Sequence, residues 1–126
     1  MPQFKPGDVI SRERTFTADD VRAFTEVSRD RGAHHLQPDP QGRLMLQGLL
    51  TATLGTEIGG SIDFIASEML FRFVRPVFAG DTVRCEVRVE KTREEPGRLA
   101  MELTFVMRNQ HGKDVLSGEI RGMVRT

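Results

Sequence analysis

Residues 44–60 read LMLQGLLTATLGTEIGG, and this stretch decides the fold. Apolar side chains recur on almost every face of a helix drawn from Leu44 to Ile58. A helix that is hydrophobic all round has to be buried in a protein core. Small residues such as Gly48 and Ala52 would let other segments pack closely against it. We therefore predict a buried central helix that ends at the glycine pair Gly59-Gly60.

The residues after this helix follow the two-residue period of β-strands. From Val83 to Glu90, apolar and charged residues alternate, which is typical of a strand with one solvated face. The predicted elements are, in order, strand Phe64–Val74, turn Gly80-Asp81, strand Val83–Glu90, turn Glu94–Gly97, strand Leu99–Met107, turn Asn109–Gly112 and strand Val115–Val124. This order predicts an α+β fold in which an antiparallel β-sheet wraps around the buried helix. Because such a sheet leaves unpaired edge strands, we also predict a homodimer that continues the sheet.

A shorter, amphipathic helix is predicted from about residue 18 to residue 29. Thr17 stands at its N-cap position and Asp20 three residues later, which is a variant of the capping box. The preceding segment, Asp8–Phe16, is suited to a strand or an extended lead-in. The following segment, Asp30–Gly42, is rich in Pro, Gly and His, and we expect it to contain neither helix nor strand.

The composition limits the class of protein. A chain of 126 residues and 14.2 kDa has the length of one domain, which we place at residues 1–126. Positive and negative residues balance at 18 each, and Trp and Tyr are absent, so nucleic acid is not an expected partner. The single Cys85 excludes an internal disulfide and a multi-cysteine zinc site. Since neither the first eight residues nor any later stretch resembles a leader or a membrane span, we expect a cytoplasmic protein without membrane contact.

The loop between the two predicted helices carries the densest group of reactive side chains. Asp30 and His35 are five residues apart across a bend at Gly32. A carboxylate beside an imidazole can hold a water molecule, remove its proton and return a proton elsewhere. The alternative is that Asp30 caps the loop and His35 packs beneath it.

A second candidate is the pair Gln47-Gly48 at the start of the buried helix. Glycine permits close approach of a ligand to the backbone, and amides near a helix N-terminus attract developing negative charge. The Gly48 amide could therefore stabilise an oxyanion. The alternative is that Gly48 only allows tight packing of the helix against the sheet.

Three motifs together resemble the MaoC-like (R)-specific enoyl-CoA hydratases of the hot-dog fold. The residues from Asp30 to His35 are similar to the family's Asp-x-Asn-Pro-x-His signature. The residues from Gln47 to Leu54 are similar to its His-Gly-Met-Leu-x-Ala-Ser-Leu, and Phe71–Val83 is similar to its RF-x-RPVF-x-GDTV. The resemblance runs from Phe4 onward and implies a hot-dog fold, an antiparallel sheet around a central helix.

The resemblance also implies an activity. It implies hydration of a trans-2-enoyl thioester, or the reverse dehydration of a 3-hydroxyacyl thioester, carried by CoA or acyl carrier protein. Asp30 and His35 would hold one water molecule and act as general base and acid, and the Gly48 amide would bind the thioester carbonyl. Gln47 and Thr56 would contact the substrate; the alternative for Thr56 is an ordinary helix threonine without a role in binding. No metal or other cofactor is implied.

The chain departs from the family pattern at several positions. Gly32 and Ala33 replace Asn and Pro in the first motif, and Gln47, which cannot titrate near neutrality, replaces His in the second. The segment between His35 and Gln47 is also shorter than in the hydratases. The preferred acyl chain therefore does not follow from the resemblance.

The sequence also allows alternative functions, which would depend on other residues. A thioesterase could employ Glu57 or Asp63 as a base or nucleophile. A non-catalytic acyl-CoA-binding module would keep the fold and tolerate loss of the Asp30–His35 pair. A metal site formed by His34 and His35 with Asp30 or Asp39 is not expected, because adjacent histidines usually point to opposite sides. Surface arginines, among them Arg72 and Arg75, are candidates for contact with the CoA phosphates.

Overall fold

The computed structural model describes residues 4–126. Residues 1–3, part of the N-terminal segment considered above for a leader, lie outside the described residues. The helices and strands are β1 (Val9–Thr15), α1 (Ala18–Ser28), α2 (Ala33–Leu36), α3 (Gly48–Ser61), β2 (Ile65–Phe73), β3 (Thr82–Glu95), β4 (Arg98–Arg108) and β5 (Asp114–Arg125). None of the helices in the described part of the chain is long and apolar enough to cross a membrane.

The five strands form one antiparallel sheet in the order β1-β3-β4-β5-β2. Alternate residues of β3 and β4 point inward, so that Cys85, Val87, Leu103 and Phe105 are buried. The same core holds Leu54 and other buried side chains of α3. The predicted α+β hot-dog architecture is therefore confirmed.

Helix α1 begins where the sequence predicts. The Thr17 hydroxyl accepts a hydrogen bond from the Asp20 backbone N–H at 3.1 Å, and the Thr17 N–H donates to the Asp20 carboxylate at 2.9 Å. This reciprocal capping box satisfies two amides that a helix start otherwise leaves free. The segment before the helix, left open between a strand and a lead-in, is strand β1.

Two predictions about the segment around the central helix are wrong. The loop Asp30–Gly42 contains a helical turn, α2, in which the His35 N–H donates to Gly32 O and the Gln37 N–H to Ala33 O, each at 2.9 Å. The central helix does not start at Leu44: residues 44–47 are extended and bridge to the β2–β3 connection, because the Leu46 N–H donates to Val77 O at 2.8 Å.

The central helix also continues through the predicted stop. Helix α3 includes Gly59 and Gly60 and ends at Ser61, and the Phe64 N–H then caps Gly59 O at 2.9 Å. Glycine is permitted in a helix and only weakens it. The hydrogen bond from Phe64, five residues further along the chain, sets the end instead.

Strand β2 forms an edge of the sheet and packs very closely on β5. A Cβ atom on Gly118 of β5 would lie 1.8 Å from the Leu70 carbonyl oxygen of β2, so only glycine fits there. The other side of β2 pairs with no other strand among residues 4–126. Large apolar side chains along this edge and the adjoining start of α3 are 44–57% exposed, namely Leu49, Ile65, Met69, Leu70, Phe73 and Val74.

Candidate active site

His35 is held in a defined orientation beneath the loop. Its side chain is 7% exposed, and its Nδ1 atom lies 2.8 Å from the carbonyl oxygen of Met45. A carbonyl oxygen only accepts hydrogen bonds, so Nδ1 carries the proton in the neutral ring. The other nitrogen, Nε2, is therefore left as an acceptor, the form that a general base requires.

The Asp30 carboxylate faces that free nitrogen. Its Oδ2 lies 3.6 Å from His35 Nε2, whereas its Oδ1 accepts the Gly32 N–H at 3.2 Å. A separation of 3.6 Å is too long for a direct hydrogen bond but allows both groups to contact one water molecule. Asp30 thus caps the loop and also faces His35, so the geometry is compatible with both interpretations of this pair.

A cavity of about 320 Å³ opens beside His35, and we call it the His35 cavity. Its walls come from α2, the start of α3, the segment after β2 and the start of β5: His34, His35, Met45, Leu46, Gly48, Thr51, Phe73, Val74, Arg75, Pro76, Val77, Val115 and Leu116. The structure thus brings His35 and Gly48, thirteen residues apart in sequence, to one cavity. Asp30 is 49% exposed and stands next to His35 rather than in the wall.

Gly48 is the first residue of α3, and the amides of a first helical turn have no partner within the helix. Leu50 and Thr51 donate to Gln47 O, whereas the Gly48 amide has no acceptor within the described part of the chain. A free amide at a helix N-terminus is suited to bind an oxygen that gains negative charge. The geometry required by the predicted role of Gly48 is therefore present.

The two residues predicted to contact substrate lie in different places. Gln47 is 1% exposed, lines neither cavity described here, and donates from Nε2 to the Thr25 hydroxyl at 2.8 Å. Its side chain is therefore packed against α1, away from both cavity walls, and its predicted contact with a substrate stays a prediction. Thr56 lies on the outer side of α3, where its hydroxyl donates to Thr53 O at 2.7 Å.

Thr56 does line a second cavity, of about 200 Å³, which we call the Thr56 cavity. The remaining wall is almost wholly apolar and comes from α3 and from the sheet residues Phe64, Ala66, Met69, Phe71, Val87, Leu103, Phe105, Met107 and Ile120. Phe71 in this wall and Phe73 in the wall of the His35 cavity are neighbours, with ring centroids 6.1 Å apart. The two cavities are therefore adjacent along β2.

The residues of the thioesterase alternative lie outside both cavities. Glu57 is 52% exposed and its carboxylate is 3.9 Å from Arg12, and Asp63 is exposed after the end of α3. Within residues 4–126, no three His, Cys, Asp or Glu side chains are grouped so that they could hold a metal ion.

Two wall residues were missed by sequence reasoning. Thr51 lies one helical turn after Gly48 and is buried in the His35 cavity, a position that the i, i+3 spacing could have indicated. Phe73 lies within the third motif quoted above, but its contact with α3 depends on how β2 crosses the helix, which no local signal shows.

The comparisons with known proteins show the family and the fold. The family model described as "Thioesterase superfamily" matches residues 45–113, more than half of the chain. The chain belongs to the thioesterase superfamily. Among solved structures, the (R)-hydratase from A. caviae involved in PHA biosynthesis superimposes with a TM-score of 0.83 at 28% identity, covering 99% of this chain and 98% of that one.

Other relatives of this superfamily member agree. The mitochondrial 3-hydroxyacyl-[acyl-carrier-protein] dehydratase of Arabidopsis thaliana is 25% identical over 91% of this chain and 74% of its own length. The R-hydratase PhaJ1 of Pseudomonas aeruginosa, at 24% identity and a TM-score of 0.82 over 97% of this chain and 83% of that one, supports the fold. The resemblance to (R)-hydratases inferred from the motifs is therefore confirmed.

Proposed function

We propose that this protein adds water to trans-2-enoyl thioesters with (R) specificity, or removes it from 3-hydroxyacyl thioesters. One observation carries the proposal: the Asp30 carboxylate lies 3.6 Å from the acceptor nitrogen of His35, beside a cavity that also holds the free amide of Gly48. The enzyme class is the one named for the (R)-hydratase and dehydratase relatives described above.

The protonation of the pair suggests how water would be used. A carboxylate oxygen of Asp30 and an unprotonated Nε2 of His35 are both hydrogen-bond acceptors, so one water molecule between them would donate both its hydrogens. Its oxygen lone pair would then face the cavity and attack C3 of the enoyl group. The pair would take up one proton from the water and return one to C2.

The amide of Gly48 would act on the thioester carbonyl oxygen of the substrate. As water adds to C3, negative charge moves to the thioester oxygen, and a preorganised N–H donor lowers the energy of that enolate. The dipole of α3 adds to the same effect at its N-terminus. We place the thioester carbonyl in the His35 cavity for this reason.

The adjacent Thr56 cavity would take the acyl chain. Its lining is apolar and it lies next to the His35 cavity along β2, at Phe71 and Phe73. Thr56 would then contact the substrate as expected, at the acyl chain rather than at the thioester. Replacing Thr56 with Leu should lower activity on longer enoyl chains more than on crotonyl-CoA.

Of the two arginines considered for the carrier, Arg75 has the better position. Arg72 lies 3.7 Å from the Glu119 carboxylate, whereas Arg75 lines the His35 cavity and donates to the neutral carbonyl oxygen of Asp114 at 2.8 Å. We propose that Arg75 contacts a phosphate of the carrier. Arg75→Gln should therefore raise KM for crotonyl-CoA with little change in kcat.

The exposed apolar edge of β2 and the start of α3 support the expected homodimer. Pairing of two β2 strands would satisfy the free backbone groups of this edge and cover its apolar side chains.

The expected cytoplasmic location of this protein is also a proposal. The dehydratases of Arabidopsis thaliana and Solanum lycopersicum that it resembles are described as mitochondrial.

The deciding experiment follows crotonyl-CoA with the purified protein. Loss of the enoyl absorbance without release of free thiol would support a hydratase, thiol release would indicate a thioesterase, and binding without turnover would indicate a binding module. Asp30→Asn and His35→Ala should each abolish hydration, and the double variant should be scarcely worse, because residues that act as a unit lose activity non-additively.

Control variants separate catalysis from general damage. Asp19→Asn and His111→Ala change the same residue types at exposed positions outside both cavities, and they should leave hydration unchanged. If the losses from Asp30→Asn and His35→Ala instead added, and followed the melting temperature, the pair would only support the loop and the proposal would fail.

A further inference from the structure

Gln47 is buried, yet one of its side-chain atoms has no partner. Among the described residues, its Oε1 is the single buried side-chain nitrogen or oxygen without a hydrogen bond. Its Nε2 donates to the Thr25 hydroxyl at 2.8 Å, and that hydroxyl donates its own proton to Val21 O at 2.8 Å. Because the Thr25 proton is already used, the atom facing it has to be the Gln47 nitrogen, and the oxygen is left over.

An unpartnered buried acceptor destabilises a fold, and an apolar residue of similar size would avoid that cost. Packing alone therefore does not explain Gln47. Gln47 differs from Leu or Met in that its side-chain N–H can donate a hydrogen bond to the Thr25 hydroxyl.

This hydrogen bond joins the two halves of the candidate active site. Thr25 lies in the last turns of α1, where its carbonyl accepts the Arg29 N–H at 2.8 Å. The next residue along the chain is Asp30, whose N–H donates to the Ser28 hydroxyl at 3.0 Å. Asp30 is thus connected to Thr25 by a short, hydrogen-bonded stretch at the end of α1.

On the other side, Gln47 belongs to the segment that holds the other two groups. It directly precedes Gly48, and it lies two residues after Met45, whose carbonyl oxygen fixes His35 Nδ1 at 2.8 Å. Any movement of α1 away from this segment would separate Asp30 from both His35 and Gly48.

We propose that Gln47 is a positioning residue, whose hydrogen bond to Thr25 sets the distance between Asp30 and the pair formed by His35 and Gly48. The proposal rests on the hydratase function proposed above. Gln47 acts through Thr25 and touches no substrate, so its loss should change turnover and leave substrate binding and folding intact.

The test uses Gln47→Leu and Thr25→Val in the full chain. Each should lower kcat on crotonyl-CoA by about 10- to 100-fold, as expected for a small misplacement of a catalytic group, with KM changed by less than about twofold. Gln47→Leu should at the same time melt at the same or a higher temperature, because it removes the unpartnered oxygen. In Gln47→Leu the kcat would then fall while the melting temperature stayed the same or rose, whereas a residue with only a structural role would lower both.

Further variants complete the cycle. The double variant Gln47→Leu with Thr25→Val should be no worse than the poorer single variant, because both remove the same hydrogen bond. Gln47→His, which again supplies an N–H donor, should recover most of the kcat. Thr104→Val is the matched control, since the Thr104 hydroxyl binds Glu90 at 2.8 Å on β4, away from both cavities, and its kcat should not change.

A measurement independent of turnover distinguishes this inference from the proposed function. Hydrogen exchange of the Arg29 and Gly32 amides should speed up in Gln47→Leu and in Thr25→Val but not in Thr104→Val. If the parent protein has no hydratase activity, the proposed function fails, and the exchange and melting measurements still decide the role of Gln47. The inference would be overturned if amide exchange at Arg29 and Gly32 were unchanged in the variants, or if the single variants kept the kcat of the parent. It would also be overturned if the losses of kcat added in the double variant, or if both single variants unfolded.

Discussion

The ring of Phe73 lies against the α-carbon of Gly48. A Cβ atom at position 48 would be 2.6 Å from Phe73 Cε1 and 2.9 Å from Cδ1, closer than side chains tolerate. A Cβ atom at position 48 would therefore force the Phe73 ring, which is 57% exposed, to move away from the start of α3. Both interpretations of Gly48 drawn from the sequence remain open, and Phe73 provides a way to separate them.

Gly48→Val, which the sequence alone would suggest for testing the amide, should displace the Phe73 ring in the wall of the His35 cavity, so a loss of activity would not identify the amide as its cause. The better test is Gly48→Ala combined with Phe73→Ala, in which the smaller side chain makes room for the new Cβ. We expect the double variant to fold about as well as Phe73→Ala but to hydrate crotonyl-CoA more slowly, because the new Cβ would hold the thioester oxygen away from the N–H; since the N–H itself is kept, the loss should not exceed the roughly 10²–10³-fold typical of a removed oxyanion donor. Equal activity of Gly48→Ala/Phe73→Ala and Phe73→Ala would leave Gly48 as a packing residue only.

Cys85 should be unreactive in the folded protein. Burial raises the pKa of the Cys85 thiol to about 12, with a further contribution from the Glu86 carboxylate. At about pH 8 the thiolate, which is the reactive form, is then almost absent. A colorimetric thiol reagent should detect no thiol in the native protein and one per chain in denaturant. Rapid reaction of the native protein would show that β3 opens, and would also complicate the thiol-release assay.

The capping box of α1 should make stability depend on pH in the acid range. The Thr17 N–H, assisted by the Arg14 guanidinium at 3.0 Å, lowers the pKa of the Asp20 carboxyl below its ordinary value of 3.8. A lowered folded-state pKa stabilises the fold above pH 3.8, and this stabilisation is lost as the pH falls through the folded-state pKa.

Asp20→Asn should therefore cost on the order of 1 kcal/mol in the free energy of unfolding at neutral pH. The difference from the parent should shrink when denaturant unfolding is repeated at successively lower pH. Asp19→Asn is the control, because Asp19 is exposed beside Arg22 and takes no part in the box. A difference that stays constant down to the acid limit would contradict the role given to the Asp20 charge.

The edge strand β2 should be the dimer interface. Light scattering at micromolar concentration should give twice the 14.2 kDa mass of the chain. Leu70→Lys places a charge on this edge and should yield monomers, whereas Val27→Lys, at an 84% exposed apolar position on α1, should leave the mass unchanged. A parent protein that scatters as a 14.2 kDa monomer would remove the dimer proposal.

The sequence by itself determined the features that depend on neighbouring residues. The alternation from Val83 to Glu90 and the capping residues Thr17 and Asp20 act over a few positions, and the corresponding strand and helix start are present. The apolar character of residues 44–58 also sufficed to predict a central helix that packs into the core, as the buried Leu54 and Ile58 show. The prediction that the helix is buried on every side is wrong, because Leu49 and Thr56 are exposed. Asp30 and His35 could be selected because both reactive groups lie in one short loop.

Only the tertiary structure decided features that depend on distant partners. The α3 helix begins at Gly48 rather than Leu44 because the Leu46 amide pairs with Val77, thirty-one residues further along the chain. Gln47 turns towards Thr25, and Phe73 covers Gly48, through contacts between segments that are remote in sequence. These hydrogen bonds and packing contacts form only once the chain has folded. A local sequence pattern therefore does not show which distant residue each of them contacts.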